Sequence, residues 1–197
     1  QQLRDIIETL LRGGAPASSI FVIEDVEGRP GRQNNAKVAA VARDLGVRVV
    51  NSHVSRADMP ENGGNFGIHL ARHYKFMLDF LLVSPAAAGA TGADAEYRRD
   101  ANGSPFEFVC IIEDDLVLAP DFVKYFYAMS RVMKVDPTLY CVSAHQDNAF
   151  FGTAYEPEPG SVTTLNPLDF DFRRGNHFMA PGWMTSREIY INVVRPR

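Results

Sequence analysis

Apolar residues recur at helical spacing over residues 3–12, where Leu3, Ile6, Ile7, Leu10 and Leu11 share one face and Gly13-Gly14 marks the stop. The continuous apolar run Ser19-Ile20-Phe21-Val22-Ile23 then predicts a buried strand that stops at Glu24-Asp25. Residues 35–45 predict a second helix, with Val38, Val41, Ala42 and Leu45 inward and Gly46 as its end. Val47-Arg48-Val49-Val50 is the next strand. Helix, strand, helix and strand with short connections favour a parallel sheet covered by helices.

Residues 51–65 are polar and contain Pro60 and Gly63-Gly64, which predicts a loop. Ile68, Leu70, Tyr74, Met77, Leu78 and Leu81 supply the buried side of a longer helix over 66–83. Residues 84–105 read as a surface insertion, small and apolar from Pro85 to Gly92 and charged beyond it. It holds Asn102-Gly103-Ser104, a formal glycosylation triplet of the kind that also arises by chance. Phe106 to Ile112 is the clearest central strand and runs into Glu113-Asp114-Asp115. Pro120 suits the first turn of a helix over 120–134, Asp136-Pro137 breaks it, and Leu139 to Ala144 forms another strand. Beyond residue 148 the chain reads as irregular, with Pro157, Pro159 and Pro167. The expectation is one α/β domain over residues 1–197, a mostly parallel sheet with helices on both faces.

Composition changes this picture little. Hydrophobic residues at 46% and charged residues at 22% suit a globular core. A net charge of -4 gives no footprint for nucleic acid. No apolar run reaches the length of a bilayer span, and the polar start Gln1-Gln2-Leu3-Arg4-Asp5 is not a secretory signal. Cys110 and Cys141 lie in apolar, strand-like runs and read as buried free thiols, without a disulfide framework or zinc pattern. There is no Walker loop, dinucleotide fingerprint or Gly-x-Ser-x-Gly elbow.

The chemistry concentrates at Glu113-Asp114-Asp115. Open α/β sheets bind ligands beyond the carboxyl ends of their strands, and this triplet follows the best strand. Extended backbone would put Glu113 and Asp115 on one side and Asp114 on the other. Adjacent carboxylates repel, and a hard divalent cation offsets that repulsion while bridging to phosphate oxygens. The competing reading is a solvated acidic turn before a helix, where carboxylates also favour the N-terminal dipole.

Ile111-Ile112-Glu113-Asp114-Asp115-Leu116-Val117-Leu118-Ala119-Pro120-Asp121-Phe122, with Tyr125-Phe126 behind it, resembles one family. So do Asp136-Pro137-Thr138-Leu139-Tyr140-Cys141-Val142-Ser143-Ala144, the stretch Ala71-Arg72-His73-Tyr74-Lys75-Phe76, and the pair Gly182-Trp183. The chain is similar to the family of alpha-mannoside beta-1,2-N-acetylglucosaminyltransferase I and the related protein O-mannose N-acetylglucosaminyltransferase. That resemblance implies a GT-A fold, a UDP-GlcNAc donor, Mn²⁺ and inverting transfer to a mannose-containing glycan in the Golgi lumen. It implies Asp115 as the metal ligand and Glu113 and Asp114 as residues facing the donor sugar and ribose. It also implies Asp25 and His73 near the uracil, and Asp147, Asn148 and Trp183 as acceptor-side candidates. From the residues alone, Asp25 is equally a turn acid, His73 a packing or surface histidine, and Trp183 a core aromatic; Asp147 and Asn148 equally cap a turn.

The resemblance also implies a strand ahead of the first helix and a general base in a segment beyond Arg197, so no catalytic base is named. Cys141 aligns with a cysteine that the family pairs with one further downstream. His145-Gln146 stands where the family usually shows Trp-Asn, which points to a different acceptor. The expectation is a fragment incomplete at both ends, its membrane anchor outside the chain. Two alternatives stay open: a nucleotide-sugar or glycan-binding relative without catalysis, and a GT-A transferase using another sugar nucleotide.

Overall fold

A computed structural model describes residues 2–25, 34–52, 66–83, 106–145, 178 and 181–195. Helix α1 spans Gln2–Arg12 and strand β1 spans Phe21–Asp25. Helix α2 (Asn34–Asp44), strand β2 (Arg48–Ser52) and helix α3 (Phe66–Leu82) follow. Then come β3 (Phe108–Ile111), α4 (Phe122–Val135), β4 (Val142–Ser143) and β5 (Trp183–Ser186). A short α5 (Arg187–Ile189) continues as a π-helical turn, Tyr190–Val194.

β1 and β2 pair in parallel, from Phe21 opposite Arg48 to Asp25 opposite Ser52. β3 and β4 both pair with β5, and both antiparallel, in the order β3-β5-β4. The sheet expected to be mostly parallel is therefore mixed: one parallel pair and one antiparallel three-stranded sheet among the described residues. The antiparallel member, β5, lies where the sequence reads as irregular. Trp183, Met184 and Thr185 are all buried, so the strand has no alternating polar face to betray it.

Helices cover both faces, as the pattern predicts. Along β3, Val109 and Ile111 pack with Trp183 against Leu78, Phe80, Leu81 and Leu82 of α3. Phe108, Cys110 and Met184 point the other way, onto Phe122, Phe126, Met129 and Met133 of α4. Strand alternation accounts for this sorting, because successive side chains leave a strand on opposite faces. The parallel pair sorts likewise. Val22 and Val49 pack with Ile7, Ala42 and Val47, whereas Phe21, Ile23 and Val50 pack on the α3 cluster. Helix α3 thus lies against both sheets. Each fully buried apolar side chain of this kind contributes about 1.5–3 kcal/mol of transfer free energy.

Several boundaries differ from the sequence pattern. β1 runs from Phe21 to Asp25, two residues later at each end than the apolar run over 19–23, because Asn51 and Ser52 of β2 offer Glu24 and Asp25 partners. β4 shrinks to Val142–Ser143, and α4 starts after Pro120, at Phe122. On α3, Ile68 is 43% exposed while His69 is 6% exposed, so the buried stripe is rotated by one residue at its start. Gly182 has φ +60, and an added Cβ there would lie 3.4 Å from Phe122 and 3.7 Å from Ala144. Its carbonyl accepts from Ala144 N at 2.8 Å, which extends the β4–β5 pairing by one bond. Residues 84–105, read as a surface insertion, lie outside the described residues.

The C-terminal segment is fixed to α3 by polar contacts. Arg187 Nε donates to Leu82 O at 2.9 Å. Asp79 accepts from Lys75 Nζ at 2.6 Å, Tyr190 OH at 2.8 Å and Arg195 Nε at 3.0 Å. Burial alone would raise the Asp79 pKa, but the bonds from Lys75, Tyr190 and Arg195 outweigh it and hold the carboxyl below its ordinary value. A depressed carboxyl pKa stabilises the fold above its unfolded value, about 4, and the contribution is lost as pH falls through the folded value. Urea midpoints measured between about pH 5 and 2 should therefore fall less steeply for Asp79→Asn than for the unaltered protein; parallel slopes would remove this account.

Candidate functional site

β1 and β3 both line a cavity of about 940 Å³, much of whose wall is apolar. Ile6, Ile7, Val22, Val109, Met77 and Phe126 represent the helices and strands around it. One part of its wall is polar. Glu24 at the end of β1, His69 and His73 on α3, and Glu113, Asp114 and Asp115 beyond β3 all contribute. Among the described residues that line this cavity there are four carboxylates, two histidines and no lysine or arginine.

The acidic triplet leaves the strand before its side chains can alternate. β3 ends at Ile111, and Asp114-Asp115 form a turn. The extended arrangement anticipated for Glu113, Asp114 and Asp115 is thus replaced by a bend that exposes Asp114 and Asp115 and leaves Glu113 half-buried. Tyr74 OH donates to Glu113 Oε1 at 3.0 Å. Burial, followed by the hydrogen bond to and charge of Glu113, pushes the Tyr74 pKa up to about 12, so its hydroxyl keeps its proton and remains a donor. Burial also raises the pKa of Glu24.

His73 is one position earlier on α3 and faces the parallel pair. Its Nδ1 lies 2.8 Å from Ser52 Oγ, at the carboxyl end of β2. Ser52 is 0% exposed and sits opposite Asp25 in the β1–β2 register. The backbone of Asp25 therefore ends β1 one hydrogen-bonded neighbour from the His73 contact. The Asp25 side chain, Asp147 and Asn148 lie outside the described residues. Among the described residues, no group of three or more His, Cys, Asp or Glu is arranged to hold a metal ion.

Trp183 is separated from this wall. It is 5% exposed, on β5, between Ile111 and Ser143 of the flanking strands. Its ring meets Tyr74 edge-on at 6.1 Å and Phe178 at 4.9 Å. With Tyr74, Tyr140 and Tyr190 it lines a second cavity of about 290 Å³. Its Nε1 is buried and finds no hydrogen-bond partner among the described residues. Tyr74 stands between the two cavities and lines both.

Cys110 and Cys141 are free, and burial raises both thiol pKa values. The residues that pattern reasoning passed over are Ser52, Glu24 and the hydroxyl of Tyr74. Ser52 carried a usable signal, a small polar residue two positions beyond the apolar run Val47–Val50, near the strand end where open sheets place ligands.

Residues 100–195 match the GNT-I family model. The match includes β3, the acidic triplet, α4, β4 and β5, and the resemblance read from these residues holds. Over 121 residues the chain is 29% identical to an alpha-1,3-mannosyl-glycoprotein 2-beta-N-acetylglucosaminyltransferase of Arabidopsis thaliana. The aligned stretch is 61% of this chain and 20% of that relative, so the chain spans about a fifth of the relative's length. None of the described helices is long and apolar enough to cross a membrane.

The Ser52–His73 contact supplies a local test. Ser52→Ala removes a hydrogen bond from a fully buried position and leaves Nδ1 of His73 without that partner. The expected loss is about 1–2 kcal/mol of unfolding free energy in urea titrations; an unchanged midpoint would show that the bond contributes nothing.

Proposed function

We propose that this chain is the nucleotide-sugar-binding part of a metal-dependent N-acetylglucosaminyltransferase. The donor is UDP-GlcNAc, the acceptor is a mannose-containing glycan, and transfer inverts the anomeric centre. The observation that carries the reading is the acidic triplet beyond β3, inside the matched residues 100–195 and on the wall of the larger cavity. The Arabidopsis relative, named as an N-acetylglucosaminyltransferase acting on mannosyl glycoprotein, supports the sugar and the acceptor class. In this reading the protein works in the Golgi lumen, tethered by an anchor outside the chain.

The donor set suits Mn²⁺. Asp114 and Asp115 are exposed oxygen donors, and hard divalent ions commonly take one or two protein carboxylates and complete their shell with phosphate and water. A cage of three protein ligands is not required for that mode. Asp115 would hold the ion, which supplies Lewis-acid stabilisation for the departing diphosphate. Glu113 and Asp114 would bind the sugar and ribose hydroxyls as acceptors. His73, steadied by Ser52, would bear on the base beside the end of β1, where Asp25 lies.

Calorimetry on the full-length protein tests this. UDP-GlcNAc should bind with Mn²⁺ present and lose at least about tenfold in affinity, roughly 1.4 kcal/mol, when the ion is chelated or in Asp115→Ala. A donor panel should rank UDP-GlcNAc above UDP-Gal and GDP-Man. Equal binding by Asp115→Ala would remove the metal role, and a preference for another sugar nucleotide would move the protein to a different donor class.

A further inference from the structure

The geometry points to Tyr74 as a positioning residue: its hydroxyl fixes the carboxylate of Glu113, and its ring is fixed in turn by Trp183. This inference rests on the donor-site reading above and adds to it a residue that reaches the sugar nucleotide only through Glu113.

Glu113 lies two residues beyond the end of β3, where the backbone has left the sheet and before the Asp114-Asp115 turn. Neither strand pairing nor helix geometry sets its side chain. A glutamate has several rotatable bonds, and an unheld carboxylate must be immobilised each time a ligand binds. Tyr74 OH, donating to Oε1 at 3.0 Å, supplies that restraint before binding. It uses one acceptor site of the carboxylate, which leaves Oε2 and the remaining lone pairs for ligand hydroxyls.

Tyr74 is itself well held. It sits in the middle of α3, a helix packed on both sheets. Its ring contacts the edge of Trp183 at 6.1 Å with an interplanar angle of 73°. Trp183 is locked at the centre of the antiparallel sheet, paired with Ile111 on one side and Ser143 on the other. The order Trp183, Tyr74, Glu113 therefore runs from the core outward, from a rigid ring to a half-buried carboxylate on the cavity wall. A tyrosine at this place needs its hydroxyl only for Glu113, because the ring contacts are equally available to phenylalanine.

Tyr74→Phe isolates the hydroxyl. In full-length protein with Mn²⁺, calorimetric affinity for UDP-GlcNAc should fall roughly 5- to 20-fold in Tyr74→Phe, the loss of a hydrogen bond to a charged group. Thermal melting should show the variant folded, since the ring still fills its place. The decisive measurement repeats the substitution in Glu113→Ala. There Tyr74→Phe should change affinity by less than about twofold, because the group it positions is gone. The same fold loss in both backgrounds, or no loss with Glu113 intact, would overturn the positioning role while leaving the donor site standing. Absence of UDP-GlcNAc binding by the unaltered protein would instead overturn the donor reading, and this inference with it.

Discussion

Helix α3 has to satisfy two sheets at once, and the arrangement of everything else follows from that. Its apolar residues Leu78 to Leu82 close over β3 and β5, while Phe21, Ile23 and Val50 of the parallel pair pack on the same cluster. Helix α1 is shared through one residue, Leu10, which packs both on the α4 cluster and on the cluster around Ile7. Because α3 is fixed from both sides, its polar residues are fixed too. His73 is set against Ser52 of one sheet and Tyr74 against Glu113 beyond the other. Adjacent residues on one helix thus relate the ends of β2 and β3 to each other. The C-terminal segment reinforces this through Asp79, which gathers Lys75, Tyr190 and Arg195.

Much of this was readable along the chain. The five apolar positions of residues 3–12 and the helix over 66–83 each appear close to their predicted limits, and the strand predicted over 19–23 appears two residues later, at Phe21–Asp25. The acidic triplet also falls just beyond a strand end, but among the described residues β3 is an outer member of the order β3-β5-β4 and not the central one. What failed to show was non-local. β5 is buried on both faces and follows a long proline-containing stretch, so neither alternation nor turn spacing marked it. Its antiparallel direction depends on how the chain returns, which periodicity does not encode. The bond between Tyr74 and Glu113 joins positions 39 residues apart, and the contact of Ser52 with His73 spans 21. Tyr74 was counted as an apolar residue for burial. Half of that description holds, because the ring is packed, but its hydroxyl serves the site.

Trp183 is a core aromatic that also bears on Tyr74. Its burial at 5% and its central sheet position make it a core aromatic. The same burial gives it authority over Tyr74, since a ring that cannot move restrains the neighbour packed on its edge. An influence on the site through packing requires no exposure to a sugar. The indole N–H is buried without a partner among the described residues, and Trp183 lines the smaller cavity together with Tyr74, Tyr140 and Tyr190. That cavity and the acidic one share Tyr74 as a common wall, so a change in either is felt by the same side chain.

The charge on the larger cavity decides what kind of ligand chemistry it permits. Glu24, Glu113, Asp114 and Asp115 contribute to its lining, and no lysine or arginine among the described lining residues opposes them. Two like charges 4 Å apart near a protein surface repel by about 4 kcal/mol at an effective dielectric of 20. A nucleoside diphosphate brought there bare would add its own negative charge to that repulsion. The raised pKa of Glu24 shows burial already acting against one member of the set. A neutral sugar hydroxyl is welcome at such carboxylates as a donor, but a diphosphate needs a cation between. On the reading proposed above, such a wall would take sugar and ribose hydroxyls directly and the phosphates only with a divalent ion, for which Asp115, exposed at the turn, would be the ligand.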